Sequence, residues 1–195
     1  GGVKFNNCRF QGGLNIYGGK TEVMNCFATA GDGSAIIVGS GAAAQDIAIY
    51  NSAAEITHAT LPAVDVATSV SSFEMKGCQI VNLGGGPALR DQEPGPINPL
   101  HLYTHNYIKG PSAAAGGPGG MPAVVNPPAA TNAMAFHQNT VWGHVGLLGS
   151  TQVHANNSIY GLMNWLQGGA GAGMDIYGNV QYNITPQALP DSWND

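Results

Sequence analysis

The stretch Phe136-His137-Gln138-Asn139-Thr140-Val141 returns eighteen residues later as His154-Ala155-Asn156-Asn157-Ser158-Ile159. Six further copies share its form: Phe5-Asn6-Asn7-Cys8-Arg9-Phe10, Val23-Met24-Asn25-Cys26-Phe27-Ala28, Ile49-Tyr50-Asn51-Ser52-Ala53-Ala54, Met75-Lys76-Gly77-Cys78-Gln79-Ile80, Tyr103-Thr104-His105-Asn106-Tyr107-Ile108 and Ile176-Tyr177-Gly178-Asn179-Val180-Gln181. Each reads as a strand, an Asn or Gly, a Cys or Asn, and a second short strand. No helix-length apolar pattern separates the copies, so the chain reads as a solenoid whose stacked coils share one core.

With the Cys/Asn position set to zero, the copies fall at residues 8, 26, 52, 78, 106, 139, 157 and 179, a mean spacing of about 24 residues. That length suits one turn of a three-sheet β-helix, in which parallel strands stack coil on coil. Position −1 reads Asn7, Asn25, Asn51, Gly77, His105, Gln138, Asn156 and Gly178. Asn and Gly tolerate a left-handed backbone, which marks a sharp corner. Positions −5 and −3, such as Ile47 and Ile49 or Met134 and Phe136, alternate with polar neighbours and are expected to point inward with positions 0 and +2. The Asn residues at zero are expected to form a buried amide ladder.

Position +4 (Gly12, Asn82, Gly110, Gly143, Gly161, Asn183) reads as the next corner. A third strand follows it: Leu14–Ile16, Ile36–Val38, Val64–Val66, Ala88–Arg90, Val124–Asn126, Gly146–Leu148 and Asn164–Leu166. The expected fold is therefore all-β, a right-handed parallel β-helix of seven to eight coils in one domain over 1–195. The longest excursions are 84–87, 91–99 and 111–131, the last a Gly/Pro/Ala-rich insertion. Gly1-Gly2 reads as a cloning scar without a signal peptide, so the chain is expected to start part-way through a longer solenoid.

Only 9% of residues are charged against 44% hydrophobic, with 29 Gly, 12 Pro and a formal charge of −5. Surface polarity must come largely from neutral side chains and backbone, which suits carbohydrate or burial against identical subunits. Six scattered Lys and Arg speak against a polyanion such as nucleic acid. No apolar run reaches the roughly 20 residues that cross a bilayer. Cys8, Cys26 and Cys78 share the zero position, reading either as core thiols or, for Cys8 and Cys26, as a bridge between adjacent coils.

The pattern of Phe136–Gly143 and His154–Gly161 is similar to coils of the pectin-lyase-like superfamily, which includes polysaccharide lyases and phage tailspikes. The resemblance spans nearly the whole chain and is specific for architecture. It implies a glycan ligand and an extracellular, secreted or virion-associated location. The paired Asp, Gly-His-Gly and Arg-x-Lys elements of polygalacturonase-type enzymes are missing, and the chain has too few acidic residues for the calcium site of pectate lyases.

Three sets of residues carry candidate chemistry. Asp65 and Arg90 are expected to face outward on adjacent coils, with Asp91 and Glu93 just beyond on the long loop. They read either as an acid–base site, Arg90 holding a uronate while Asp65 and Glu93 transfer protons, or as a surface ion pair. His101 and His154 are expected inside; His105 at a corner and His137 on an outer face are the accessible pair, with His137 a proton-transfer candidate. No third ligand accompanies them, so neither metal nor cofactor enters the reading. At position +3, facing outward, successive coils carry Lys109, Trp142, Tyr160 and Tyr182, with Tyr107 at +1 nearby. Such a stripe suits sugar, by ring stacking and by Tyr and indole hydrogen bonds, or it is covered by a loop, the C-terminal tail or another subunit.

Two functions follow from these residues. One is a polysaccharide-binding or polysaccharide-degrading module, a lyase or glycoside hydrolase if it is an enzyme. The other is a non-catalytic structural or receptor-binding segment of a homotrimeric tailspike or secreted adhesin. If coils are missing before Gly1, the edge of Val3–Phe10 is expected to pair with another chain or a cap.

Overall fold

The computed structural model describes residues 2–39, 46–66, 70, 72–92, 100–110, 123–126, 133–143, 145–147, 151–161, 163–165 and 174–182. Within them the chain is a three-sheet parallel β-helix with no helix. The first and second sheets each stack eight strands and the third stacks seven, every neighbour coming from the next coil. The fourth coil shows the plan: Ser72–Lys76 in the first sheet, Gln79–Asn82 in the second and Leu89–Asp91 in the third.

The corner between the first two sheets is made the same way in every coil. All eight residues at −1 are left-handed: Asn7, Asn25, Asn51, Gly77, His105, Gln138, Asn156 and Gly178, with φ between 47° and 66°. A fixed corner length locks the two sheets in phase. Phe5, Val23, Ile49, Met75, Tyr103, Phe136, His154 and Ile176 accordingly pair in one continuous register.

The expected core parity holds. Ile47, Ile49, Ala54, Phe73, Met75, Ile80, Tyr103, Ile108, Met134, Phe136, Val141 and Ile159 are buried. At roughly 1.5–3 kcal/mol for each large aliphatic or aromatic side chain removed from water, this column is the principal source of stability. In the first coil Phe5, Cys8 and Phe10 are only partly buried, and Phe5 and Phe10 meet edge to face with centroids 5.4 Å apart.

After the left-handed turn, the N–H of the zero residue points into the core and needs an acceptor. The zero side chain of the next coil supplies it. Asn106, Asn139, Asn157 and Asn179 form this ladder: the Asn106, Asn139 and Asn157 side-chain amides donate to the next Oδ1 at 3.0, 3.2 and 2.8 Å. Their second Nδ2 protons reach back to the carbonyls of Met75, Tyr103 and Phe136. Earlier coils use smaller acceptors: Cys8 N–H donates to Cys26 Sγ and Cys26 N–H to Ser52 Oγ. All three thiols are free; those of Cys8 and Cys26 donate to the carbonyls of Asn6 and Met24.

Burial pushes the Cys78 thiol from its ordinary value of 9.0 up to about 11, against the smaller opposing effect of its backbone hydrogen bonds. The folded thiol therefore keeps its proton where the unfolded one loses it. Its contribution is complete below pH 9 and disappears as pH rises to about 11, a loss of about 3 kcal/mol. Cys78→Ser, which copies Ser52 one coil earlier, is expected to flatten the fall in unfolding free energy between pH 9 and 10. Equal slopes in the two proteins would refute this account of the thiol.

The third sheet departs from expectation in phase. Its strands in three coils begin one residue away from the sequence reading: Leu89–Asp91, Val145–Leu147 and Met163–Trp165. The first shift matters most: Arg90 stays outward as expected, but Asp91 becomes a strand residue turned into the core. The second corner is also less uniform than the first. Gly12 and Gly143 are left-handed there, whereas Asn82 turns inward and holds two loops, accepting from His58 and Gly84 N–H and donating to the carbonyls of Leu61 and Pro87.

Candidate functional site

Outer positions of the second sheet form two axial columns. Gln11, Thr29, Glu55, Val81, Lys109, Trp142, Tyr160 and Tyr182 pair in succession along one. Arg9, Phe27, Ala53, Gln79 and Tyr107 lead the other. Parallel in-register pairing brings like positions together at roughly 4.8 Å per coil, close to the spacing of stacked rings.

The rings use that spacing on one another. Trp142 and Tyr160 stack with centroids 4.1 Å apart and planes 4° from parallel; Tyr160 and Tyr182 follow at 4.6 Å and 10°. Such pairs contribute about 0.5–1.5 kcal/mol beyond their burial. The column stays partly in water, Trp142 being 39% and Tyr182 47% exposed. Tyr107 and Lys109 are exposed beside it, Lys109 in register with Trp142.

This geometry changes the chemistry expected of the stripe. Tyr160 has a neighbour against each ring face, so it offers a ligand its edge and hydroxyl. Among the described residues, the ring faces not taken up by stacking are those at the ends of the column, on Trp142 toward the Lys109 coil and on Tyr182 away from Tyr160. A sugar lying along the strip meets hydroxyl and indole groups at every coil instead of a ring face beneath each residue.

Asp65 and Arg90 come together as expected, on the outer face of the third sheet. The guanidinium binds both carboxylate oxygens, at 3.0 and 2.7 Å, and Gln92 Nε2 donates to Asp65 Oδ1 at 2.8 Å. The carboxylate is thus committed to three donors. Glu93 lies outside the described residues. His137 is half-buried on the first sheet, three coils beyond Asp65 and two beyond Arg90, so it does not join them. His105 is exposed at its corner, and its N–H donates to the His137 carbonyl.

Asp91 is the correction. Expected on the loop beside Arg90, it is wholly buried, and its Oδ2 receives both the Tyr103 hydroxyl and His101 Nδ1 at 2.7 Å. His101 is inside as expected, with Nε2 3.3 Å from the Val70 carbonyl. Burial, then the nearby Asp91 charge and hydrogen bond, raise the Tyr103 hydroxyl well above its ordinary range. This cluster joins the third sheet to the first through the core and is closed to ligand. The side chain of His154 lies outside the description.

A second surface feature escaped the sequence reading. An open groove of about 510 Å³ follows the first corner, lined by Asn7, Asn25 and Asn51 on one side and by Arg9, Phe27 and Gln79 on the other. The arginine carbon of Arg9 sits 5.3 Å from the Phe27 ring centre. Regularity of the −1 column was the available signal, although the groove also needs the +1 column opposite.

Among the described residues no three His, Cys, Asp or Glu side chains converge as a metal site requires. No family model, curated protein or solved structure matches the chain.

Proposed function

We propose that this β-helix is a polysaccharide-binding module of the pectin-lyase-like kind, holding its glycan on the outer face of the second sheet. The observation that carries this reading is the solvent-facing column Trp142–Tyr160–Tyr182, with Tyr107 and Lys109 adjoining it. Stacking fixes the rings before a ligand arrives, so little side-chain freedom is lost on binding. Their outward hydroxyl and indole groups suit a hydroxyl-rich polymer. A secreted or virion-surface protein would meet such a ligand.

The reading is of binding without turnover, because Asp65 is held by Arg90 and Gln92 in a manner that favours a structural pair. If Asp65 works as an acid or base instead, Asp65→Asn abolishes turnover on a polysaccharide panel.

One observation favours a second reading, the structural segment of a trimeric spike or adhesin. Tyr177, Val180 and Tyr182 are all about half exposed in a single coil, next to Trp142 and Tyr160. Such an apolar surface also suits a subunit contact.

Trp142→Ala separates the two. If the column binds glycan, affinity falls about fivefold for a ring contribution on the order of 1 kcal/mol, with mass and melting temperature retained. If the column is an interface, the variant dissociates and keeps any affinity of the monomer. A variant unchanged in both properties removes the case for a site on this face.

A further inference from the structure

We infer that the ring column is one end of a longer binding track, which runs along the second sheet and takes an extended, uncharged polysaccharide. This rests on the glycan reading above and adds the ligand's length, direction and charge.

The register carries the argument. The +1 column that walls the corner groove passes through Arg9, Phe27, Ala53 and Gln79 to Tyr107. Tyr107 stands two residues along its strand from Lys109, on the same outer face, and Lys109 pairs with Trp142 at the head of the rings. Groove and ring column therefore lie on the same sheet, end to end. Eight coils span on the order of 34 Å, enough for an oligosaccharide well beyond the reach of three rings.

The groove's walls match hydroxyls. Asn7, Asn25 and Asn51 share the left-handed backbone, φ 56°, 51° and 47°, so one amide-bearing side chain leaves the corner in each of the first three coils. Each amide offers donors and an acceptor, the pairing that a neutral sugar returns. Asn25 is further oriented by its bond to Asn6 Oδ1 at 3.1 Å. Gly77 makes room for this wall in the next coil: a Cβ there would meet Asn51 Oδ1 at 2.6 Å, so glycine lets the Asn51 amide lie against it. Charges on the outer strands of this sheet are few and mixed, Arg9 and Lys109 against Glu55, which favours a neutral polymer over a polyanion.

The test is calorimetric titration of the full chain with β-1,4-linked glucan, mannan and xylan oligosaccharides, from disaccharide to octasaccharide, with oligogalacturonates as an anionic arm. Affinity for at least one neutral series is expected to climb beyond the trisaccharide. The triple substitution Asn25→Gly, Asn51→Gly and Gln79→Ala keeps the left-handed corner permissible. It is expected to weaken octasaccharide binding about tenfold while disaccharide binding at the rings stays as in wild type. Gln79→Ala alone should lower octasaccharide affinity in the same direction, which covers a triple variant that folds poorly.

Affinity that levels off at the disaccharide, or octasaccharide binding sensitive to Trp142→Ala but indifferent to the groove variants, overturns the track and leaves the ring site standing. Binding confined to oligogalacturonates and lost in salt overturns the assignment to a neutral polymer. Absence of binding in every series counts against both the track and the glycan reading.

Discussion

Replacing Asp91 with alanine is expected to destabilise the protein by about 3–5 kcal/mol, the usual cost of removing one partner from a buried polar or charged cluster. The substitution strands the Tyr103 hydroxyl and His101 Nδ1, both of which now reach Asp91 Oδ2 at 2.7 Å with all three side chains out of water. It also severs the link through the core between the third sheet and the first. Denaturant unfolding is the measurement, and a loss under about 1 kcal/mol would show that the cluster is dispensable. Replacing all three by apolar residues, Asp91→Leu with His101→Leu and Tyr103→Phe, should recover much of the loss, because the mutually bonded groups leave together and only the Val70 carbonyl loses its contact with His101. The raised Tyr103 hydroxyl adds a pH signature. Its folded form stays neutral as the unfolded phenol begins to ionise near pH 10, so this contribution is complete below that pH and declines above it.

The second large effect belongs to the amide ladder. Asn139→Ala removes the Oδ1 that accepts both the Asn106 backbone N–H, at 2.9 Å, and Asn106 Nδ2, at 3.0 Å. Two buried donors are left without that acceptor, at about 1–3 kcal/mol each, and a loss of about 2–5 kcal/mol is expected. Asn139→Ser should cost less. Ser52 already fills the equivalent place two coils before Asn106, accepting from Cys26 N–H at 3.0 Å and donating to the Tyr50 carbonyl at 2.8 Å. If serine and alanine prove equally damaging, the acceptor is not what the position supplies.

Legibility in the sequence followed the constancy of the corners. Between the first two sheets the turn has one length in every coil, so one alignment of Asn and Cys residues placed the core of sixteen strands and the outward ring column together. The third sheet has strands of three residues between connections of unequal length, and nothing local fixes its phase. That is why Asp91 was expected beside Arg90 and is found beneath it. The candidate site was legible as a column of residue types but not as a set of orientations. In-register pairing put Trp142, Tyr160 and Tyr182 at a spacing where the rings stack on one another, and only side-chain geometry shows that the faces between them are taken up within the column.

The ladder also makes the two directions along the solenoid inequivalent. Cut the stack between the coils of Asn139 and Asn157, and the first piece loses the acceptor for two protons, the Asn139 backbone N–H and one of its Nδ2 hydrogens. Of the same ladder residues' groups, the second piece loses the acceptor for one, the Asn157 Nδ2 hydrogen that reached the Phe136 carbonyl. Stranded donors are costlier than spare lone pairs. The stack therefore has a hungry end and a sated end, like a filament with unlike tips. A coil emerging from the ribosome is therefore completed by the coil made after it.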